Sequence, residues 1–294
     1  MRGWLVYTPE RLERNAAYAR MHKTWCKERG IELKVVVIAD EPPFLSSADA
    51  RLPLPDFAIF RCENTSLRYW LEQRGVVVAN SSRIGIIAND KLASYEFARD
   101  LGIPHLEAHR LSRGAVGRMG YPLVIKPRGG HGGAGVQKVC NAEQLRAFAQ
   151  AHIALGTESA WLCQRVSPVE GKDLRVYVLG GRVLACMLRT APIGAFLSNY
   201  CLGGAASRYE LSAAEARLVD KISQALGDGY YGIDFLFDAN GRLLFNEIED
   251  VVGSRMLYAN TSIDAVHEHL SHVVGLVRKR SGKPCNRREG VYEG

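Results

Sequence analysis

No apolar run in this chain approaches the roughly 20 residues that a membrane-spanning helix requires. The opening residues, Met1-Arg2-Gly3-Trp4-Leu5-Val6-Tyr7, read as one short strand, too brief for the apolar core of a signal peptide. Paired cysteines are missing as well. The seven cysteines, at 26, 62, 140, 163, 186, 201 and 285, form no paired spacing and no Cys-x-x-Cys. This argues against a disulfide framework or a thiolate zinc site, and the expected setting is a reducing cytoplasm without membrane association. Cys163 and Cys186 sit inside apolar runs and read as small core residues.

A body-wide excess of one charge is also lacking. The net charge is +7, yet Arg278, Lys279, Arg280, Lys283, Arg287 and Arg288 against Glu289 and Glu293 place +4 of it in the last seventeen residues. Residues 279–294 therefore read as a basic, disordered tail. The remainder is close to neutral and has no basic, aromatic-studded stripe on which single strands would stack, so no nucleic-acid partner is expected. What is present is ordinary for a globular protein: 294 residues, 47% apolar and 23% charged.

The densest chemistry lies in Gly232 to Glu249, Gly-Ile-Asp-Phe-Leu-Phe-Asp-Ala-Asn-Gly-Arg-Leu-Leu-Phe-Asn-Glu-Ile-Glu. Two apolar runs flank Asp-Ala-Asn-Gly, which predicts a β-hairpin. Glu247 and Glu249 are two apart and share one strand face, and Asp234 can meet them from the opposite strand. Three converging carboxylates repel one another unless a cation lies between them, and hard oxygen ligands favour Mg²⁺. The alternative is a surface hairpin with solvated acids.

A second segment, Val124 to Val136, reads Val-Ile-Lys-Pro-Arg-Gly-Gly-His-Gly-Gly-Ala-Gly-Val. It predicts a buried strand ending in Lys126 and then a loop of five glycines, including Gly132 and Gly133. Such a loop lets backbone N–H groups approach a phosphate, with the lysine as point charge. It is not a P-loop, since no Gly-Lys-Ser/Thr closes it; a flexible hairpin tip is the alternative. Upstream, residues 1–88 alternate apolar strands with helices, which indicates a parallel sheet covered on both faces. Asn15 and Arg61-Cys62-Glu63-Asn64 fall near strand ends, where α/β clefts form, or serve as caps. A helix is predicted from Asn89, as its cap, to Gly102. A last helix, about Thr261 to Arg278, has apolar residues at helical spacing and carries His267, His269 and His272 on differing faces.

The order of these motifs resembles the RimK-like ATP-grasp ligases. Gln164-Arg165-Val166, Gly171-Lys172-Asp173-Leu174-Arg175 and Arg189 to Asn199 lie between the glycine loop and the hairpin. The likeness runs from about Asn89 to Met256. It implies an α/β fold in which an N-terminal parallel domain (1–88) precedes a two-lobed ATP-grasp module. The lobes would be a lid with the glycine loop (89–165) and a metal-bearing domain (166–278). The implied activity is ATP-dependent joining of a carboxylate to the amine of an amino acid or peptide through an acyl phosphate. The cofactors would be ATP and Mg²⁺, with Mn²⁺ as an admissible substitute; a homo-oligomer is compatible.

By the same resemblance, Lys91, Lys126, Gly132, Gly133, Gln164, Arg165, Val166 and Asp173 would hold the nucleotide, the hinge 162–166 reading adenine through its backbone. Asp234, Glu247 and Glu249 would hold the metal, and Arg189 and Asn199 the intermediate. Arg175, Ser198 and Arg255 would hold substrate. Arg175 and Arg189 serve either as anion clamps or as structural ion-pair partners, and Arg255 either binds a carboxylate or caps a helix. Two departures stand out. Leu197 replaces a family arginine and Glu249 a family asparagine, so the site is more acidic than the pattern. A kinase acting on a small molecule, or a nucleotide-binding module without turnover, is the alternative function.

Overall fold

A computed structural model describes residues 1–39, 45, 52–130, 132–154, 156–192 and 204–282. The chain forms two compact units. One comprises Met1–Ser82 together with the C-terminal segment from Ile263, and the other comprises Arg83–Ser262.

The first unit begins with β1 (Arg2–Tyr7), α1 (Pro9–Arg14), α2 (Ala16–Glu28), β2 (Glu32–Val37), β3 (Phe57–Phe60), α3 (Thr65–Glu72) and β4 (Val77–Ala79). The strands form one sheet in the order β2-β1-β3-β4, and every pairing is parallel, as the continuous apolar runs predict. Asn64 is a cap: its side chain accepts a 2.8 Å bond from the Leu67 N–H at the start of α3.

The second unit opens with α4 (Ser82–Ala88) and α5 (Lys91–Asp100). The cap of α5 is Asp90, which accepts from the Leu92 N–H, and not Asn89; the two residue types cap equally well, so the sequence does not choose between neighbours. There follow β5 (Ala108–Arg110), α6 (Arg113–Met119), β6 (Leu123–Pro127), β7 (Gln137–Val139), α7 (Ala142–His152) and β8 (Trp161–Arg165), whose strands make an antiparallel sheet ordered β5-β8-β6-β7. A five-stranded antiparallel sheet comes next, from β9 (Lys172–Leu179), β10 (Arg182–Thr190), β11 (Ala205–Arg208), α8 (Ala213–Leu226), β12 (Tyr230–Phe237) and β13 (Leu243–Glu249). Its order is β11-β10-β9-β12-β13, so β9 is central. Its core joins Val176, Val178, Ile233 and Phe235 of the sheet to Tyr95 and Ala98 of α5 and Ile222 and Leu226 of α8. The short helix α9 (Arg255–Asn260) closes the unit.

The last helix, α10 (Ala265–Arg280), is capped by Asp264, which accepts from the Val266 and His267 N–H groups. Chain order groups it with the preceding hairpin, but it packs in the first unit. Val266, Leu270, Val273, Val274 and Val277 form its apolar stripe and share a core with Leu5, Trp25 and Ile59. His269 is buried, and His267 accepts a 3.1 Å hydrogen bond from the Trp25 indole N–H. Lys279 and Arg280, expected to begin the disordered basic tail (279–294), instead form the last turn of α10, where positive charge is favourable at a helix C-terminus; residues 283–294 lie outside the described residues. Among the described residues no helix is long and apolar enough to cross a membrane.

This packing carries an expected outcome. Leu270 is fully buried, so Leu270→Ala should lower stability in urea by about 2–5 kcal/mol. Ending the chain at Gly282 should leave the urea midpoint unchanged, because the removed segment has too little apolar content to bury a core.

Candidate active site

The antiparallel pairing of β9 with its neighbours sets a row of charges on one sheet face. Residues 173, 175 and 177 of β9 alternate onto that face. Asp173 lies opposite Arg189 of β10, Arg175 opposite Asp234 of β12, and Asp234 opposite Glu247 of β13. The pairs are bidentate. Arg175 donates to Asp234 from Nε at 2.8 Å and from Nη2 at 2.7 Å. Arg189 donates to Asp173 from Nε at 2.9 Å and also from Nη2, and the same Nη2 reaches Asp234 Oδ2 at 2.8 Å. Arg175 Nη1 pairs with Glu249. Gly232 makes room for this, since a Cβ there would lie 3.5 Å from Arg175 Cδ and Nε and 3.1 Å from Val252 Cγ2.

Asp234 is 1% exposed. Burial pushes its pKa up, but the Arg175 and Arg189 guanidiniums outweigh burial and hold it at about 2. The hairpin register sets Asp234 opposite Glu247, while Asp234 and Glu249 are both paired with Arg175 and Glu247 lies beside Lys91. Among the described residues no group of three His, Cys, Asp or Glu side chains is placed to hold a metal ion.

Beside this row is a cleft of about 830 Å³, part of it open to solvent. Lys91, Lys126, Gln164, Asp173 and Glu247 line it, together with Gly132 and Gly133 of the glycine loop. Lys126, Glu247 and the two glycines are singled out by sequence pattern, and Lys91, Gln164 and Asp173 by the family resemblance. A register shift in the hairpin pairs Asp234 with Glu247 but Phe235 with Phe245. Asn246 is thus the extra residue of a β-bulge, and both Asn246 and Glu247 reach the cleft. Lys91 Nζ donates to the Gly130 carbonyl at 2.6 Å and lies 3.6 Å from Glu247. Arg128 clasps Asp90, and the Lys91 N–H donates to the Arg128 carbonyl at 2.9 Å, so the base of the glycine loop is tied to the start of α5.

Lys126 is 5% exposed. Its Nζ donates to Tyr95 Oη and Asn246 Oδ1, each at 3.2 Å. Burial is the largest influence on it and lowers its pKa to about 8, with Glu247 opposing and Lys91 adding to the fall. Tyr95 and Asn246 escape a motif reading. The available signal for Tyr95 is its spacing: it stands four residues after Lys91 and shares that helix face.

The other expected residues lie around the cleft without lining it. Arg165 is exposed, with Nε 3.1 Å from Glu107 Oε2, and its N–H already donates to the Glu107 carbonyl at 2.9 Å. Arg255 is exposed at the first position of α9. Asn199 and Ser198, with Leu197, fall outside the described residues.

A glycine loop over a cleft between one antiparallel sheet and a second, larger one is the architecture of an ATP-grasp protein. The family model of the RimK-like ATP-grasp domain matches residues 111–273, more than half of the chain. The chain belongs to the RimK-like ATP-grasp family. It is 27% identical to an uncharacterized protein of Mycoplasma genitalium over 185 residues, 63% of this chain and 62% of that one. It is also 27% identical to a probable alpha-L-glutamate ligase of Pasteurella multocida over 242 residues, 79% of this chain and 75% of the relative. Among solved structures, the ATP-grasp ligase PsnB complexed with minimal precursor, Mg and ADP superimposes with a TM-score of 0.66 at 16% identity. The match covers 94% of this chain and 98% of PsnB, and at that identity it is a likeness of fold. The chain spans about three fifths of the length of the mycoplasma relatives it matches.

Two outcomes follow from the electrostatics. Asp234→Asn leaves two buried guanidiniums short of charge and should destabilise the protein by about 3–5 kcal/mol in urea unfolding. Lys126 carries its charge below about pH 8 and loses it as pH rises through that value. The dissociation constant for ATP should therefore increase above pH 8, and Lys126→Arg, which stays charged, should flatten that alkaline limb in titration calorimetry.

Proposed function

We propose that this protein is an ATP-dependent carboxylate–amine ligase acting on an amino acid or peptide. The observation that carries the reading is the meeting of Lys91, Lys126, the glycine loop and Glu247 in one cleft beside a bidentate arginine pair. A carboxylate oxygen of one substrate attacks the γ-phosphorus of ATP and ADP leaves. An amine nitrogen then attacks the acyl carbon, its proton is lost, and phosphate departs as the amide forms. The chain's part is positioning and charge neutralisation. Lys91 and Lys126 meet phosphate charge, and backbone N–H groups at Gly132 and Gly133 approach the phosphates. The 162–166 hinge, with Gln164, Arg165 and Val166, faces the base.

Mg²⁺, which the PsnB complex contains together with ADP, fits Glu247, whose carboxylate opens onto the cleft. Asp234 and Glu249 join it to the extent that the cation outcompetes their arginine partners. When bound, it neutralises phosphate charge. Of the two readings of Arg175 and Arg189, their bonds to Asp173, Asp234 and Glu249 favour ion-pair partners that hold the acid row beside the cleft; Ser198 and Asn199 are assigned to the acyl phosphate and the substrate carboxylate, and Arg255 to the second substrate. The acidic surplus at Glu249 and Asp250 favours an amino or guanidino group on the partner bound there.

The test is ADP release over pairwise mixtures of amino acids and dipeptides, read with mass spectrometry. The ligase reading expects release that needs both an acid and an amine, and a product lighter than its parts by one water. Glu247→Gln should lower that turnover at least about 100-fold while leaving the fold intact. A phosphorylated product formed without any amine would replace the ligase reading with a kinase.

A further inference from the structure

Tyr95 stands at the meeting point of four chain segments, and no sequence motif assigns it a task. Its ring is 3% exposed and is fixed edge-on against Phe245, with centroids 6.1 Å apart, and tilted against His105 at 5.7 Å. Its hydroxyl lies 2.9 Å from Gln164 Oε1, 3.1 Å from Asn246 Oδ1 and 3.2 Å from Lys126 Nζ. These partners belong to β8, β13 and β6, and all three line the cleft.

Proton counting gives the arrangement a direction. A phenol has one proton, which goes to either Gln164 or Asn246, and its lone pairs accept from Lys126. Burial raises the Tyr95 pKa well above the ordinary value, with Glu247 adding to the rise, so the hydroxyl keeps that proton. The Lys126 ammonium has three protons. Two are directed at Tyr95 Oη and Asn246 Oδ1, which leaves the third for an anion in the cleft. Both acceptors are neutral, so the full positive charge of Lys126 remains for the ligand. A carboxylate in their place would bind the ammonium more tightly and cancel its charge.

The geometry assigns Tyr95 as a positioning residue that aims Lys126 at a nucleotide phosphate and, through Gln164, ties that lysine to the hinge strand. This rests on the reading of the cleft as an ATP site. Tyr95 acts through Lys126 and touches no reacting atom.

The test is a double-mutant cycle on binding of a non-hydrolysable ATP analogue, followed by calorimetry. Tyr95→Phe removes the hydroxyl and keeps the ring packing. It should weaken binding about tenfold, the size expected for one hydrogen bond to a charged group. In a Lys126→Met background the same change should have little effect, because the group it aims is gone. An equal loss with and without Lys126 would mean that Tyr95 merely supports the fold, and it would overturn the inference; so would no loss in either background. Should the core not tolerate Tyr95→Phe, 3-fluorotyrosine at position 95 is a weaker acceptor of nearly the same size and carries the same cycle. Wild-type protein that binds no analogue would instead remove the ATP-site reading itself.

Discussion

Asp234 carries a full negative charge at a position 1% exposed, where an unpaired carboxylate would be unfavourable by several kcal/mol. The structure holds it there because β9 and β10 deliver one guanidinium each to its oxygens, in register, from the central and adjacent strands of the five-stranded sheet. The dependence is mutual. Arg175 and Arg189 are themselves buried and are kept charged by Asp173, Asp234 and Glu249. Hairpin register, the glycine at 232 and the alternation of β9 all serve this row of charges, and removing any one acid leaves a cation under-neutralised within the protein.

The cleft inherits its electrostatic character from that row. With the arginines held by acids of the sheet, the cations that line the open volume are lysines, Lys91 and Lys126 among them, and Glu247 lines it as a carboxylate not bonded to either arginine. A buried ammonium bonded to a phenol and an amide has only neutral partners to offset its burial, which lowers the Lys126 pKa. It gains most when an anion arrives. That is the behaviour a phosphate-binding lysine needs, and Tyr95 and Asn246 supply it.

Much of this was legible in the sequence, for identifiable reasons. The acids at 234, 247 and 249 show themselves because the spacing of two fixes a strand face and the Asp-Ala-Asn-Gly turn fixes the hairpin. The glycine loop and Lys126 stand out by composition, and continuous apolar strands announce the parallel sheet of the first unit. The source of counter-charge was legible only as an alternative, since Arg175 and Arg189 read equally as anion clamps or as ion-pair partners. A carboxylate cluster requires positive charge but does not specify metal or arginine, and the pairing of β9 with β12 joins residues 59 apart. The destination of α10 was hidden likewise, since an apolar stripe shows that a helix has a buried face without naming what covers it. Tyr95 was readable only in part: its spacing from Lys91 gives a shared face, while its contacts with Lys126, Gln164 and Asn246 are set by the folded sheets.

The central claim is that the volume walled by Lys91, Lys126, Glu247 and the glycine loop receives the nucleotide phosphates. A crystal structure with a non-hydrolysable ATP analogue and Mg²⁺ tests it most directly. The account predicts the terminal phosphates within hydrogen-bond distance of Lys126 Nζ and Lys91 Nζ, the cation against Glu247, and the base at the 162–166 hinge. An analogue seated elsewhere, for instance against the parallel sheet of residues 1–82, with the cleft lysines still bonded as they are here, would contradict it.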